Sequence, residues 1–259
     1  MLGYSVTGPA TAPVLVLGGS LGTSREMWRP QLPALTDRFR VLRYDHPGHG
    51  GTPTPSGRYS IERLVRDVLT LLDHLGVERC HYAGLSLGGM VGMGLAASAP
   101  DRVDRLALLC TSAYLPPADA WHQRAAQVRA HGMGSLTAAV TARWFTPRFR
   151  ATAPDQVATL LAAFTETAPE GYAACCEAIA DLDLRAHLPR ITAATLVIAG
   201  ADDPATPPTH AEVIADTIPG ARMIVLPGAA HLASVEQAPA VTRLLVDHFD
   251  PGSSDDRSL

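Results

Sequence analysis

The sequence predicts an α/β protein: a mostly parallel central sheet with helices on both faces and an inserted helical cap. Three observations carry that prediction. Short β-branched runs alternate with longer segments of helical period. Between about Tyr114 and Leu188 the strand signal vanishes and only helical pattern remains. The chain of 259 residues, 47% hydrophobic and 18% charged, is long and apolar enough to bury one large core.

Strands are read at Val14–Leu17, Val41–Tyr44, Cys80–Ala83, Leu106–Leu109, Thr195–Ala199 and Met223–Leu226. Ile61–Leu75 has apolar residues at 61, 64, 65, 68, 69, 71, 72 and 75, which line one face of a helix. Ser60 is placed to cap its start and Gly76 to end it. Ser86–Ser98 carries Gly88, Gly89, Gly92 and Gly94, which weaken an isolated helix but let its backbone approach a sheet closely, so a buried central helix is expected. Pro116-Pro117, Pro147, Pro154 and Pro169 divide the strandless stretch into several helices. The expected organisation is a core of residues 1–113 and 189–250, a cap of residues 114–188, and a polar, acidic tail, 251–259, with nothing to bury and so disordered.

Composition excludes several functions. A net charge of −4 without a basic run offers no footprint for nucleic acid or an anionic membrane. All 21 basic residues are arginine, so Schiff-base chemistry and lysine-dependent phosphate loops are ruled out. The N-terminus lacks the basic stretch and apolar run of a secretory signal, and no apolar segment has the length of a membrane span, which points to the cytoplasm. Cys80, Cys110, Cys175 and Cys176 show no metal-ligand spacing and read as buried free thiols. The sequence leaves the oligomeric state open.

Gly84-Leu85-Ser86-Leu87-Gly88 fits G-x-S-x-G between an apolar strand and a helix, the context that a nucleophile elbow requires. A serine hydroxyl needs a base within reach and a third group to fix the base's tautomer. In the α/β-hydrolase fold, where this elbow occurs, the chain order is serine, acid, histidine. Asp202 and Asp203 follow the strand Thr195–Ala199 at its C-terminal end, where catalytic groups of open α/β sheets gather. Asp203 is the choice for the acid, because it lies three residues past Gly200 in the G-x-x-D pattern typical of that fold, whereas Asp202 is placed to close the turn through its own backbone. His231 lies on the loop after Met223–Leu226 and is the candidate base. The glycine-rich loop around Ser20-Leu21-Gly22 lacks a nucleotide-binding pattern, and its expected role is to offer the Leu21 N–H, with that of Leu87, to a developing oxyanion. Asp45, His46 and His49 suggest metal ligands, but no further ligand cluster has suitable spacing; neither metal nor cofactor is expected.

At these residues the chain resembles the 3-oxoadipate enol-lactonases of the α/β-hydrolase superfamily over nearly its whole length. Ser20-Leu-Gly-Thr with Met27-Trp28, Arg43-Tyr-Asp with Gly48-His-Gly, and Gly84-Leu-Ser-Leu-Gly-Gly89 carry the resemblance in the core. Arg143-Trp-Phe-Thr146, Glu170-Gly-Tyr-Ala173 with Cys175-Cys176, and Asp183-Leu-Arg185 carry it in the cap. The chain departs from the pattern at Gly19, where an asparagine is expected, and at Pro47, where an arginine is. Its short N-terminus trims the leading strand pair to one strand around Tyr4–Val6.

The resemblance implies hydrolysis of an anionic lactone through an acyl-enzyme, with Arg143, beside Trp144, pairing with the substrate carboxylate. The rivals are a carboxylesterase, a perhydrolase or a carbon–carbon bond hydrolase of the same fold, and a non-catalytic binding protein on this scaffold.

Overall fold

The computed structural model describes residues 1–250 and Gly252. The stretch read as a disordered tail lies, apart from Gly252, outside the described residues.

The elements run β1 (Tyr4–Thr7), β2 (Val14–Gly18), α1 (Leu32–Thr36), β3 (Arg40–Tyr44), α2 (Ile61–His74), β4 (Cys80–Leu85), α3 (Leu87–Ser98) and β5 (Val103–Leu109). Helices α4 (Ala118–His131), α5 (Thr137–Trp144), α6 (Pro147–Thr152), α7 (Pro154–Thr165) and α8 (Pro169–Ala180) follow. Then come β6 (Ala194–Gly200), α9 (Pro208–Thr217), β7 (Arg222–Leu226), α10 (Ala233–Glu236) and α11 (Ala238–Phe249). The strands form one sheet in the order β1-β3-β2-β4-β5-β6-β7. Only β1 is antiparallel, pairing with β3 at one edge of the sheet.

Each predicted strand is found, extended by one to three residues. The extensions fall at strand ends, and apart from Leu85, Val103 and Ala194 they are polar or glycine residues whose backbone still pairs, as Gly18 does with Gly84. In α2 the Ser60 hydroxyl accepts from the Arg63 N–H at 3.3 Å, and Gly76, at φ +64°, follows the end of the helix. Helix α3 is buried over most of its length against β4, β5 and β2. Gly92 explains that placement: a Cβ there would lie 2.6 Å from the Tyr82 ring.

The prolines act as helix starters. Pro147, Pro154 and Pro169 each open α6, α7 or α8, where the missing N–H costs no helical bond. Helices α4 to α8 intervene between β5 and β6, with α4 packed on α8. Arg129 on α4 pairs with Glu170, through bonds of 2.7 and 2.8 Å, and with Glu177. The insertion meets the sheet domain at a close backbone approach: the Gly48 carbonyl accepts from Ala168 N–H at 2.9 Å, and a Cβ on Gly48 would lie 2.5 Å from the Gly171 Cα. No helix among the described residues is long and apolar enough to cross a membrane.

Candidate active site

Ser86 sits in the single-residue turn between β4 and α3 with φ 56° and ψ −114°. A non-glycine residue at positive φ stores strain of about 1–3 kcal/mol, sustained only when its surroundings over-determine it. They do so here. The Ser86 N–H donates to Leu109 O at 2.9 Å, and its carbonyl accepts from Met90 N–H at 3.0 Å and from the Thr111 hydroxyl at 2.7 Å. The flanking glycines are required by space, since a Cβ on Gly84 would lie 2.2 Å from Gly88 O and one on Gly88 would lie 2.3 Å from Gly18 O. Below the turn the Tyr44 and Tyr82 hydroxyls are 2.7 Å apart, and Tyr82 donates to Gly88 O at 2.9 Å.

The loops after β6 and β7 bring Asp203 and His231 together. Asp203 Oδ2 lies 2.8 Å from His231 Nδ1. An ionised carboxylate only accepts, so Nδ1 carries the proton and, in the neutral ring, Nε2 is left to accept one. The remaining carboxylate valences are filled by Ala205 N–H at 2.8 Å, Thr206 N–H at 3.1 Å and the Thr206 hydroxyl at 2.8 Å. Burial pushes the Asp203 carboxyl up, but the His231 charge and the hydrogen bonds from His231 and Thr206 outweigh it and hold it below its ordinary value. Asp202 is exposed and, rather than closing its own turn as expected, donates its N–H across to Ala229 O in the loop after β7 at 2.9 Å, while the Asp203 N–H closes the turn on Gly200 O at 3.3 Å.

Ser86 and His231 open into one cavity of about 440 Å³, roofed by the helical insertion. Leu21 lines it, and Leu87 is the first residue of α3, where helix amides lack intrahelical acceptors. Arg143 and Trp144, from the end of α5, line it too. Trp144 is buried, edge-on to Phe164 with ring centroids 5.6 Å apart. Arg143 is exposed over the whole residue, yet its charged end is enclosed enough that burial, then the like charge of Arg124, lowers its pKa.

Arg124 was not among the residues singled out from the sequence. It stands on α4 over the Trp121 ring, 5.4 Å from its centroid, and lines the same cavity. Ala120, Arg124 and Gln127 all face inward at a spacing of three or four, along one face of α4 that only the packing of the fold singles out. Among the described residues no carboxylate pairs with either Arg124 or Arg143. Two guanidiniums without carboxylate partners thus line one cavity, a charge suited to an anion.

Asp45, His46 and His49 turn to separate partners. Asp45 accepts from the Arg25 N–H and guanidinium, His46 Nε2 lies 3.0 Å from Gly19 O, and His49 Nδ1 donates to Pro47 O at 2.9 Å. Burial first, and for His46 the neighbouring His49 second, lowers these imidazoles to about 3 and about 4. Both are structural, neutral rings that tie the loop after β3 to the loop after β2 and to itself.

A family model described as the alpha/beta hydrolase fold matches residues 12–238. The chain belongs to the α/β-hydrolase family. Within this family it falls with the 3-oxoadipate enol-lactonases. It is 39% identical to 3-oxoadipate enol-lactonase 2 of Acinetobacter baylyi, over 92% of this chain and 89% of that one. The solved enol-lactonase of Burkholderia xenovorans LB400 superposes with a TM-score of 0.94 at 43% identity, covering 96% of each chain. RutD of Stutzerimonas stutzeri, a relative named for carbamate hydrolysis, is 36% identical over 92% of each chain. This α/β hydrolase thus shares its fold with relatives of more than one named activity.

Proposed function

We propose that this α/β hydrolase opens 3-oxoadipate enol-lactone to 3-oxoadipate, with Ser86 as nucleophile, His231 as general base and Asp203 as the group that orients it. The observation that carries the reading is the shared cavity, in which Ser86 and a carboxylate-bound His231 face two arginines without acidic partners.

In this mechanism His231 Nε2 takes the Ser86 proton as Oγ attacks the ring carbonyl. The oxyanion is met by the Leu21 and Leu87 N–H groups, reinforced by the N-terminus of α3. Collapse breaks the ring C–O bond and releases an enolate that remains tethered to the acyl-enzyme. The His231 imidazolium gives its proton to this enolate, which ends as the ketone; that leaves the imidazole neutral and makes ring opening hard to reverse. Water activated by His231 then cleaves the acyl-enzyme and restores the serine. Arg143, assisted by Arg124, holds the substrate carboxylate, with Trp144 as an apolar wall. The insertion 114–188 acts as the cap that carries this specificity.

The test compares the enol-lactone with a neutral aryl ester. A lost charge-assisted hydrogen bond is worth about 1.5–3 kcal/mol, so Arg143→Ala should lower kcat/KM for the lactone by about ten- to a hundredfold and leave the ester nearly unchanged. Arg124→Ala should act in the same direction. Equal losses on both substrates would indicate lost packing and remove the carboxylate role from these arginines. A second reading, hydrolysis of a carbamate, has the RutD relatives in its favour; faster turnover of a carbamate than of the lactone would replace the first.

A further inference from the structure

The loop that carries His231 is bound to the helical insertion at its last two residues. The His231 N–H donates to Arg143 O at 3.3 Å and the Leu232 N–H to Trp144 O at 3.0 Å, so the candidate base and the candidate specificity residues share main-chain bonds. One side chain extends this connection in both directions. Glu236, at the end of α10, accepts on Oε1 from the Thr146 N–H and from the Thr146 hydroxyl, both at 2.8 Å. Its Oε2 accepts from the Ala230 N–H, immediately before His231. The Thr146 hydroxyl in turn accepts from Phe149 N–H at 3.2 Å and caps α6.

We infer that Glu236 is a positioning residue: its carboxylate fixes the His231 loop against the α5–α6 corner of the insertion, and so sets where the imidazole stands relative to Ser86. The chemistry of the group supports this specifically. A carboxylate presents acceptors on both oxygens, and both are used, by donors from two different segments. Asp203 fixes the tautomer and tilt of the ring through Nδ1, whereas Glu236 fixes the backbone from which the ring hangs. Catalytic groups displaced by a fraction of an ångström lose rate steeply, because the proton must pass within hydrogen-bond reach. The inference rests on His231 as the base but not on the identity of the substrate.

The test is the rate at which a fluorophosphonate labels Ser86, a reaction that needs the base and the nucleophile but neither lactone nor carboxylate binding. Glu236→Gln keeps the shape, retains an acceptor for Thr146 and sets an amide N–H against the Ala230 N–H. It should label about tenfold more slowly, as expected for loss of one charge-assisted bond in the positioning chain, with kcat on the lactone reduced in step and KM unchanged. Thr146→Val removes the hydroxyl donor to Glu236 together with the α6 cap, leaves the Thr146 N–H on Glu236, and should slow labelling by about two- to threefold, a fraction of a charge-assisted bond. Both rates are read well below the thermal transition of each variant, so a merely structural part for Glu236 would lower Tm and leave them untouched. Wild-type labelling rates in folded Glu236→Gln would overturn the inference, and if that variant does not fold, wild-type labelling in Thr146→Val would do so. Ser86→Ala labelled as fast as wild type would overturn the nucleophile reading and this inference with it.

Discussion

Glycines mark the difference between the floor and the roof of the cavity. In the sheet domain Gly84, Gly88 and Gly89 have no room for a methyl group, since a Cβ at each would fall within 2.7 Å of backbone or of Thr111. In the turns of the helical insertion Gly132 and Gly134 have nothing within 4 Å of a Cβ, and only Gly171, where α8 meets the loop after β3, is as tight as the floor. The floor is therefore a jigsaw in which Ser86 is held in a strained turn by neighbours that cannot move. The roof is a set of short helices joined by prolines and open turns, held down by hydrogen bonds at a few points such as Thr146 and Arg143. On the proposed mechanism, chemistry that every substrate needs is built into the first, and groups that choose among substrates are carried on the second.

The largest expected effect breaks the floor's chemistry without touching its packing. Ser86→Ala should leave circular dichroism and Tm close to wild type and lower turnover by several orders of magnitude, to the residual that binding and the oxyanion hole provide. Near wild-type turnover in a folded, pure variant would remove Ser86 from the mechanism.

Next in size is the contrast between adjacent aspartates. Asp203→Asn replaces the acceptor at His231 Nδ1 and should cost turnover on the order of 10⁴, because the amide favours the wrong tautomer. Asp202→Asn should change it by no more than about twofold, because Asp202 meets its neighbours through the backbone. Steady-state kinetics on the two variants settles the choice, and the reverse ranking would refute it.

The floor was more legible in the sequence than the roof, for a physical reason. Ser86, Asp203 and His231 stand at C-terminal ends of parallel strands, so strand ends and chain order locate them without knowing any packing. Leu21 and Leu87 follow from the same logic. Arg143 was read as part of a resemblance, but Arg124 was not, because nothing local tells which arginine of a helix faces inward. On α4, Arg124 turns to the cavity while Arg129 turns to Glu170 and Glu177. That distinction is made by α8, distant in sequence, and by the angle at which the two helices pack. Glu236 was hidden similarly: its donors come from Ala230 and Thr146, and only the fold brings those together.

A third prediction concerns the buried imidazoles beside the floor. Burial lowers His46 to about 3 and His49 to about 4, so below the ordinary imidazole range the unfolded chain takes up protons that the native chain refuses. Their contribution to stability is thus fully present above the unfolded value near ~6.5 and is lost as pH falls from there toward the folded values. Between pH 7 and pH 5 one such histidine costs about 2 kcal/mol, whatever its folded value below that window. Urea unfolding at the two pH values measures the loss, and His49→Gln should reduce it by about that amount. A loss unchanged in His49→Gln would mean that His49 is not held neutral.

The smallest effect sharpens the comparison of floor and roof, because two roof glycines separate space from backbone conformation. Gly132 ends α4 with φ +71°, and Gly134 lies in the turn that follows without a positive φ. Neither would meet a neighbour on gaining a Cβ. Gly132→Ala should therefore cost about 1–3 kcal/mol, the penalty of φ +71° with ψ 174°, a region essentially reserved for glycine, with no clash to add to it. Gly134→Ala should instead stabilise the protein by about 0.4–1 kcal/mol, since it narrows the unfolded ensemble without straining the native one. Opposite shifts of Tm in the two variants, with catalysis unaltered in both, are the expected result. A destabilising Gly134→Ala would show that the roof is packed as tightly as the floor, and the division between a rigid chemical base and a loosely pinned selective cover would fail.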